Sequence, residues 1–118
     1  MKANKYRAKK ITTASGEVFD SKGEYNRWLV LLHAQKYGQI KNLRRQVVYE
    51  LIPKQAHPDG RKEHRTCYKC DFEYEEGGLV VVEDYKSPVT RKLPEYIIKR
   101  KLMLQVLGIS IKETGSKK

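Results

Sequence analysis

Cys70-Asp71-Phe72-Glu73-Tyr74-Glu75-Glu76-Gly77-Gly78-Leu79-Val80-Val81-Val82-Glu83-Asp84-Tyr85-Lys86 is the stretch on which the reading of this chain turns. Aromatic and acidic residues alternate up to Gly77-Gly78, and a run of leucine and valine follows. Two adjacent glycines suit a type I′ turn, because both central positions of that turn need positive φ. With the glycines as the turn, Glu75 faces Val80, Glu73 faces Val82 and Asp71 faces Asp84. Side chains repeat every two residues on a strand, so Lys86 shares a face with Asp84. Two carboxylates then stand opposite one another with Cβ atoms about 4.5–5.5 Å apart, which destabilises a sheet. A divalent cation removes the objection, since two carboxylates and a strand-end carbonyl are hard oxygen ligands suited to Mg²⁺ or Mn²⁺. A register slip of one residue would send the two aspartates to opposite faces. Spacing alone leaves a second reading open, in which Asp71 pairs with a nearby lysine and Asp84 marks the solvated end of a strand.

Outward from the hairpin, Ser21-Lys22-Gly23-Glu24 reads as a capping box that starts a helix. Tyr25, Trp28, Leu29 and Leu32 form its apolar face, and Tyr37-Gly38 stops it. Leu43 to Ile52 predicts a strand ended by Pro53, and Lys54 to His64 an exposed loop. Arg65 to Glu75 predicts a second strand with Tyr68, Cys70, Phe72 and Tyr74 on one face. Leu79 to Lys86 is a third, its apolar run suggesting burial on both faces as in a central strand. Pro94 opens a second helix that runs to about Leu107 and closes at Gly108, and Ile109 to Lys112 is a short last strand. The order α-β-β-β-α-β predicts an α/β fold with a mixed sheet flanked by helices and a right-handed crossover into the last strand. The 118 residues suit one domain, with a flexible basic N-terminal arm over about 1–15 and a short basic C-terminal tail.

The chain has 25 Lys+Arg against 14 Asp+Glu, a formal net charge of +11, and a pI near 9.7. That balance points to a polyanion, most simply nucleic acid, although an acidic protein or a membrane surface would give the same charge. The cations fall into groups: Lys2, Lys5, Arg7, Lys9 and Lys10; Lys41, Arg44 and Arg45; Lys54, Arg61, Lys62 and Arg65; and Arg91, Lys92, Lys99, Arg100 and Lys101. Six of the 14 acids lie between Asp71 and Asp84. Carboxylates planted amid a basic surface work against phosphate binding unless a cation sits there. No apolar run approaches a membrane span, the N-terminal stretch is basic without an apolar signal region, and two cysteines do not make a disulfide framework. The expectation is a cytoplasmic protein that makes no membrane contact.

Glu24 on the first helix, Asp71 on the second strand and Asp84-Tyr85-Lys86 on the third, in that element order, resemble the PD-(D/E)xK nuclease superfamily. That superfamily includes restriction endonucleases, archaeal Holliday-junction resolvases and the phage lambda exonuclease. Tyr-Arg-Ala-Lys-Lys (6–10), Phe-Asp-Ser-Lys-Gly-Glu (19–24), Cys-Asp-Phe-Glu-Tyr (70–74) and Val-Glu-Asp-Tyr-Lys (82–86) look more closely like small phage and prophage proteins predicted to be nucleases of this fold. The resemblance implies a restriction-endonuclease-like core in a protein of a phage or prophage, acting in the bacterial cytoplasm. It implies that Asp71, Asp84 and the Tyr85 carbonyl bind Mg²⁺ or Mn²⁺. Lys86 would position or deprotonate the attacking water or stabilise the phosphate, and Glu24 would complete the metal shell or hold a water. Cys70 stands where the superfamily commonly has proline, and Asp84 where it more often has glutamate.

Phosphodiester hydrolysis needs a Lewis acid, a nucleophile available at neutral pH and charge relief for the leaving oxygen. These residues suit that chemistry. The basic groups would hold the phosphate backbone with little sequence preference, with Lys9, Lys10, Arg44, Arg45, Thr90, Arg91, Lys92, Lys99 and Lys101 as candidate DNA contacts. The expected function is a metal-dependent DNA endonuclease acting on double-stranded or branched DNA, a homodimer if it resolves junctions. A non-catalytic nucleic-acid-binding protein is the alternative, and a small zinc adaptor the third reading. Cys67 and Cys70 with His57 and His64 could bind zinc, but on one continuous strand the two cysteines point to opposite faces. The capping box alone could explain Glu24, Gln46 or Glu50 could touch the metal site from the side, and Trp28 reads as core.

Overall fold

Residues 9–115 are described by a computed structural model. They open with a small hairpin, β1 (Ile11–Thr12) and β2 (Val18–Phe19), and helix α1 (Lys22–Lys36). Strands β3 (Lys41–Arg45), β4 (Val48–Ile52), β5 (Gln55–Ala56), β6 (Lys62–Glu63), β7 (Thr66–Lys69), β8 (Phe72–Glu76) and β9 (Leu79–Tyr85) follow. A one-turn helix α2 (Pro88–Arg91), helix α3 (Pro94–Leu107) and β10 (Lys112–Thr114) complete them. The protein is mixed α/β. Its largest sheet has the order β10-β9-β8-β3, with β3, β8 and β9 antiparallel in turn and β10 parallel to β9.

The central hairpin forms in the expected register. Gly77 and Gly78 both have positive φ, 60° and 83°, and Glu75 pairs with Val80 and Glu73 with Val82. The ladder stops at Phe72↔Glu83, one pair short of the two aspartates, because the chain bends at Asp71. Ser21 caps α1 by accepting the Glu24 N–H at 3.1 Å, and Gly108 closes α3 in the left-handed conformation.

Other elements depart from the sequence reading for identifiable reasons. The strand expected over Leu43 to Ile52 is two strands, broken at Gln46, whose φ is +54°. There the chain leaves its partner β8 for β7. The strand expected over Arg65 to Glu75 breaks at Asp71 in the same way. Tyr68 and Cys70 therefore pack with Leu51, Val82, Tyr96 and Met103, whereas Phe72 and Tyr74 pack with Leu31 and Ile40 in a separate cluster. The expected loop from Lys54 to His64 contains the paired strands β5 and β6.

In α1 the inward residues are Glu24 and Leu31, while Leu29 and Leu32 are exposed, so the buried stripe lies beside the predicted one. β9 is an internal strand, but its Leu79 and Val80 are 72% and 59% exposed and burial begins further along. Ile109 and Ile111 pack under α3, and the last strand starts only at Lys112. Pairing of Ile11 with Phe19 shortens the arm expected to reach residue 15. Residues 1–8 and 116–118, which hold the rest of that arm and the basic tail, lie outside the described residues.

Glu83, with no exposed surface, lies where these elements meet. Arg27 of α1 grips it with two bonds of 2.5 and 2.9 Å. The Tyr74 hydroxyl donates at 2.7 Å and that of Thr114 at 3.0 Å. These donors outweigh burial and hold the Glu83 carboxyl below its ordinary value. Removing one partner of a buried pair leaves an uncompensated charge, a loss of about 3–5 kcal/mol. Arg27→Met is expected to cost that much in urea unfolding at neutral pH, and Arg27→Met/Glu83→Leu to recover most of it. Equal losses in the single and double variants would contradict the network's role.

Candidate active site

Asp84 and Lys86 lie at the C-terminal end of β9, Asp71 on the bend before β8, and Glu24 in the first turn of α1. The structure thus brings Lys86 to Asp84, Asp71 beside Asp84, and Glu24 near enough to Asp71 to feel its charge. Asp84 is buried, its Oδ2 accepting the Tyr68 hydroxyl and standing 3.4 Å from Lys86 Nζ. Lys86 Nζ also lies 4.7 Å from the centre of the Tyr96 ring. The Asp71 carboxyl neighbours that of Asp84, and its Oδ2 accepts the Tyr85 N–H at 2.8 Å. Gln46 Nε2 reaches Asp71 Oδ1 at 3.5 Å, as a contact from the side would require. Glu50 instead pairs with Arg65 at 3.5 Å.

Glu24 is 3% exposed, and its Oε2 has no hydrogen-bond partner. The nearest cation is Arg45, at 3.7 Å, beyond hydrogen-bond range. Burial, then the charges of Asp71 and Asp20, push the Glu24 carboxyl from 4.5 to about 7, against the pull of Arg45. Burial and the neighbouring Asp84 raise Asp71 as well, opposed by the Tyr85 N–H and Lys86.

Two glycines support this corner. A Cβ on Gly23 would lie 2.0 Å from the Tyr85 hydroxyl oxygen, so glycine lets that ring lie against the start of α1. Gly115, at φ +115°, packs on the Lys86 backbone, where a Cβ would come within 2.6 Å of the carbonyl oxygen. The Lys86 N–H donates to the Thr114 carbonyl at 2.7 Å. Three strands and a helix thereby fix Lys86, Tyr85 and Asp84 as a unit.

The expected DNA contacts divide into free and engaged side chains. Lys9, Lys92 and Lys101 are exposed, and Lys10 reaches Asp20 at 3.8 Å. Arg44 is tied to Glu73 on the neighbouring strand. Arg45 is turned inward, stacked 3.7 Å over Phe19 and bonded to the Val18 carbonyl, so its guanidinium belongs to the interior beside Glu24. The Thr90 hydroxyl and N–H serve the cap of α2. Arg91 leans on Glu113 at 3.9 Å, and Lys99 pairs with Glu95 at 3.1 Å.

The zinc reading finds no assembled ligand set: His57 pairs with Glu63, Cys70 is buried in the core, and both cysteines are free. Among the described residues no three His, Cys, Asp or Glu side chains are grouped to hold a metal ion. Glu24 therefore adjoins the Asp71–Asp84 pair without closing a three-carboxylate cage. Tyr68, Tyr96 and the Arg27–Glu83 pair escaped the sequence reading. Tyr68 was legible as a core aromatic, but nothing in its spacing showed that its hydroxyl would meet Asp84.

Over residues 3–112 the chain matches the family described as "Protein of unknown function (DUF1064)", and it belongs to that family. Neither a curated protein nor a solved structure matches it. Among the described residues no helix is long and apolar enough to cross a membrane.

Glu24 and Asp71 bind protons more tightly in the folded than in the unfolded chain. Their contribution to stability is therefore complete only below the ordinary values of 4.5 for Glu24 and 3.8 for Asp71, and is lost as pH rises through about 7 and about 8 respectively. In EDTA the melting temperature is expected to fall between about pH 5 and about pH 8, and Glu24→Gln to flatten the fall. A wild-type profile rising across that interval would contradict the geometry.

Proposed function

We propose that the protein is a metal-dependent DNA endonuclease with a restriction-endonuclease-like core. The Asp71–Asp84 pair with Lys86 Nζ 3.4 Å from Asp84 carries the reading. The order α1, β3, β8, β9, α3, β10 around a mixed sheet supports it. The donor set fits a hard divalent cation: two neighbouring carboxyls, one of them held neutral by burial and by the other, beside an orphaned Glu24 oxygen. Asp71 and Asp84, with the Tyr85 carbonyl, would hold Mg²⁺ or Mn²⁺, and Glu24 would reach it from the side. When bound, the ion supplies Lewis-acid charge to the phosphate oxygens.

The protein's own groups do the rest. Lys86, between Asp84 and the Tyr96 ring, is placed to orient the attacking water and to offset charge gathering on the phosphate. Tyr68 holds Asp84 in place, and Gln46 and the Tyr85 N–H hold Asp71. Attack forms a bond from the water oxygen to phosphorus and breaks the bond to the sugar oxygen, which leaves with a proton. We propose branched DNA as the substrate class, on the resemblance to junction resolvases, and a homodimer for that task because two opposed strands must be cut.

Purified protein is to be tested on a four-way junction, fork, nicked duplex, linear duplex and single strand, with Mg²⁺, Mn²⁺ or EDTA. Metal-dependent cutting is expected, falling on the order of 10²–10⁴-fold in Asp84→Asn and Lys86→Ala while binding persists. Binding by wild type without cutting under any metal would favour a non-catalytic nucleic-acid-binding protein.

A further inference from the structure

Beyond the core, β4 and β7 continue into a two-stranded arm. The same register holds at Ile52↔Thr66 and, past unpaired residues 53–54 and 64–65, at Gln55↔Glu63 and Ala56↔Lys62, and the His57 N–H donates to the Arg61 carbonyl at 2.7 Å just before the tip. From residue 53 to residue 65 every side chain but His57 is exposed. Pairing of β5 with β6 is the arm's main contact.

The arm's two faces differ in charge. Gln55, His57, Arg61, Glu63 and Arg65 share one face by strand alternation. The cations there are already matched: His57 to Glu63 at 2.7 Å, Arg61 to Asp59 at 2.8 Å and Arg65 to Glu50 at 3.5 Å. The other face carries Lys54, Ala56, Lys62 and His64. It has no carboxylate, and among the described residues its lysines have no ion-pair partner. Along the extended segment from β6 through residues 64–65 into β7, Lys62 and His64 fall in phase with Thr66 and Tyr68, whose hydroxyl touches Asp84. The cationic face therefore continues the side of the sheet that carries the site, turned by the twist of the ribbon.

We propose that this face, Lys54 with Lys62 and His64, grips the phosphate backbone of duplex DNA to one side of the site. Lys62 is six residues from Tyr68, at most about 20 Å along an extended strand and the rise of about six base pairs. A two-stranded ribbon is narrow enough to follow a groove about 12 Å wide, and Ala56 between the lysines allows close approach. Lysine ammoniums meet phosphates as point charges, so the grip carries no sequence preference. Where the duplex lies relative to the arm rests on the nuclease reading; that the arm binds a duplex does not.

The test compares wild type, Lys54→Gln/Lys62→Gln and, as a control on the other face, Arg61→Gln. Binding to a linear duplex is titrated against salt in EDTA. Cleavage in Mg²⁺ is followed on a long duplex and on one too short to reach the arm. Removing two phosphate contacts is expected to reduce the salt slope by about 2 and weaken low-salt binding on the order of ten- to hundredfold. Cutting of the long duplex slows, the short one is unaffected, and Arg61→Gln behaves as wild type. An unchanged salt slope in the double variant, or an equal loss on single strands, overturns the proposal even if wild type cuts DNA. A reduced slope in a protein that cuts nothing upholds the arm and removes the nuclease.

Discussion

A carboxylate stripped of water keeps its charge only where surrounding donors replace the solvent, and Glu83 is held in that condition in the middle of the sheet. Its donors come from Arg27 of α1, Tyr74 of β8 and Thr114 of β10, so one side chain joins the helix to β9 and both strands flanking it. An apolar residue of similar size would pack the same space without dictating which helix turn faces it. The bidentate grip of Arg27 does dictate this, because a guanidinium fork meets a carboxylate in few geometries.

The position of the site follows from that constraint. Glu24 precedes Arg27 by three residues on α1, so fixing one helical position fixes the other. Asp84 follows Glu83 on β9 and points to the opposite face, where Tyr68 and Lys86 meet it. The bends at Gln46 and Asp71 then let β4 and β7 leave the main sheet, bringing Gln46 to Asp71 and Tyr68 to Asp84. A flat, continuous pair of strands would have put the carboxylates at an ordinary sheet edge.

Net charge alone overstates the surface available to a polyanion. Arg44, Arg91 and Arg100 are spent on Glu73 and Glu113, and Arg45 lies against aromatic rings. What remains exposed is mostly lysine, which suits backbone contact more than base reading. The acidic island that looked anomalous in the sequence splits likewise: Glu83 neutralises Arg27 inside the fold, Glu73 pairs with Arg44 at the surface, and Asp71 and Asp84 are left as neighbours.

Local pattern carried the hairpin and its register, the capped first helix, the helix closed by Gly108 and the grouping of Asp71, Asp84 and Lys86, whereas Glu24 was brought to them only by the resemblance. Each depends on turn chemistry, caps or strand alternation, which act between near neighbours in the chain. The breaks at Gln46 and Asp71, the rotation of α1 toward Leu31, the inward turn of Arg45 and the Glu83 network could not be read that way. They arise where strands exchange partners and where charges distant in sequence must satisfy one another. The sequence by itself determined which residues could turn, pair and carry charge; tertiary structure decided which charges are buried together, because desolvation and bidentate pairing exist only once distant elements have packed.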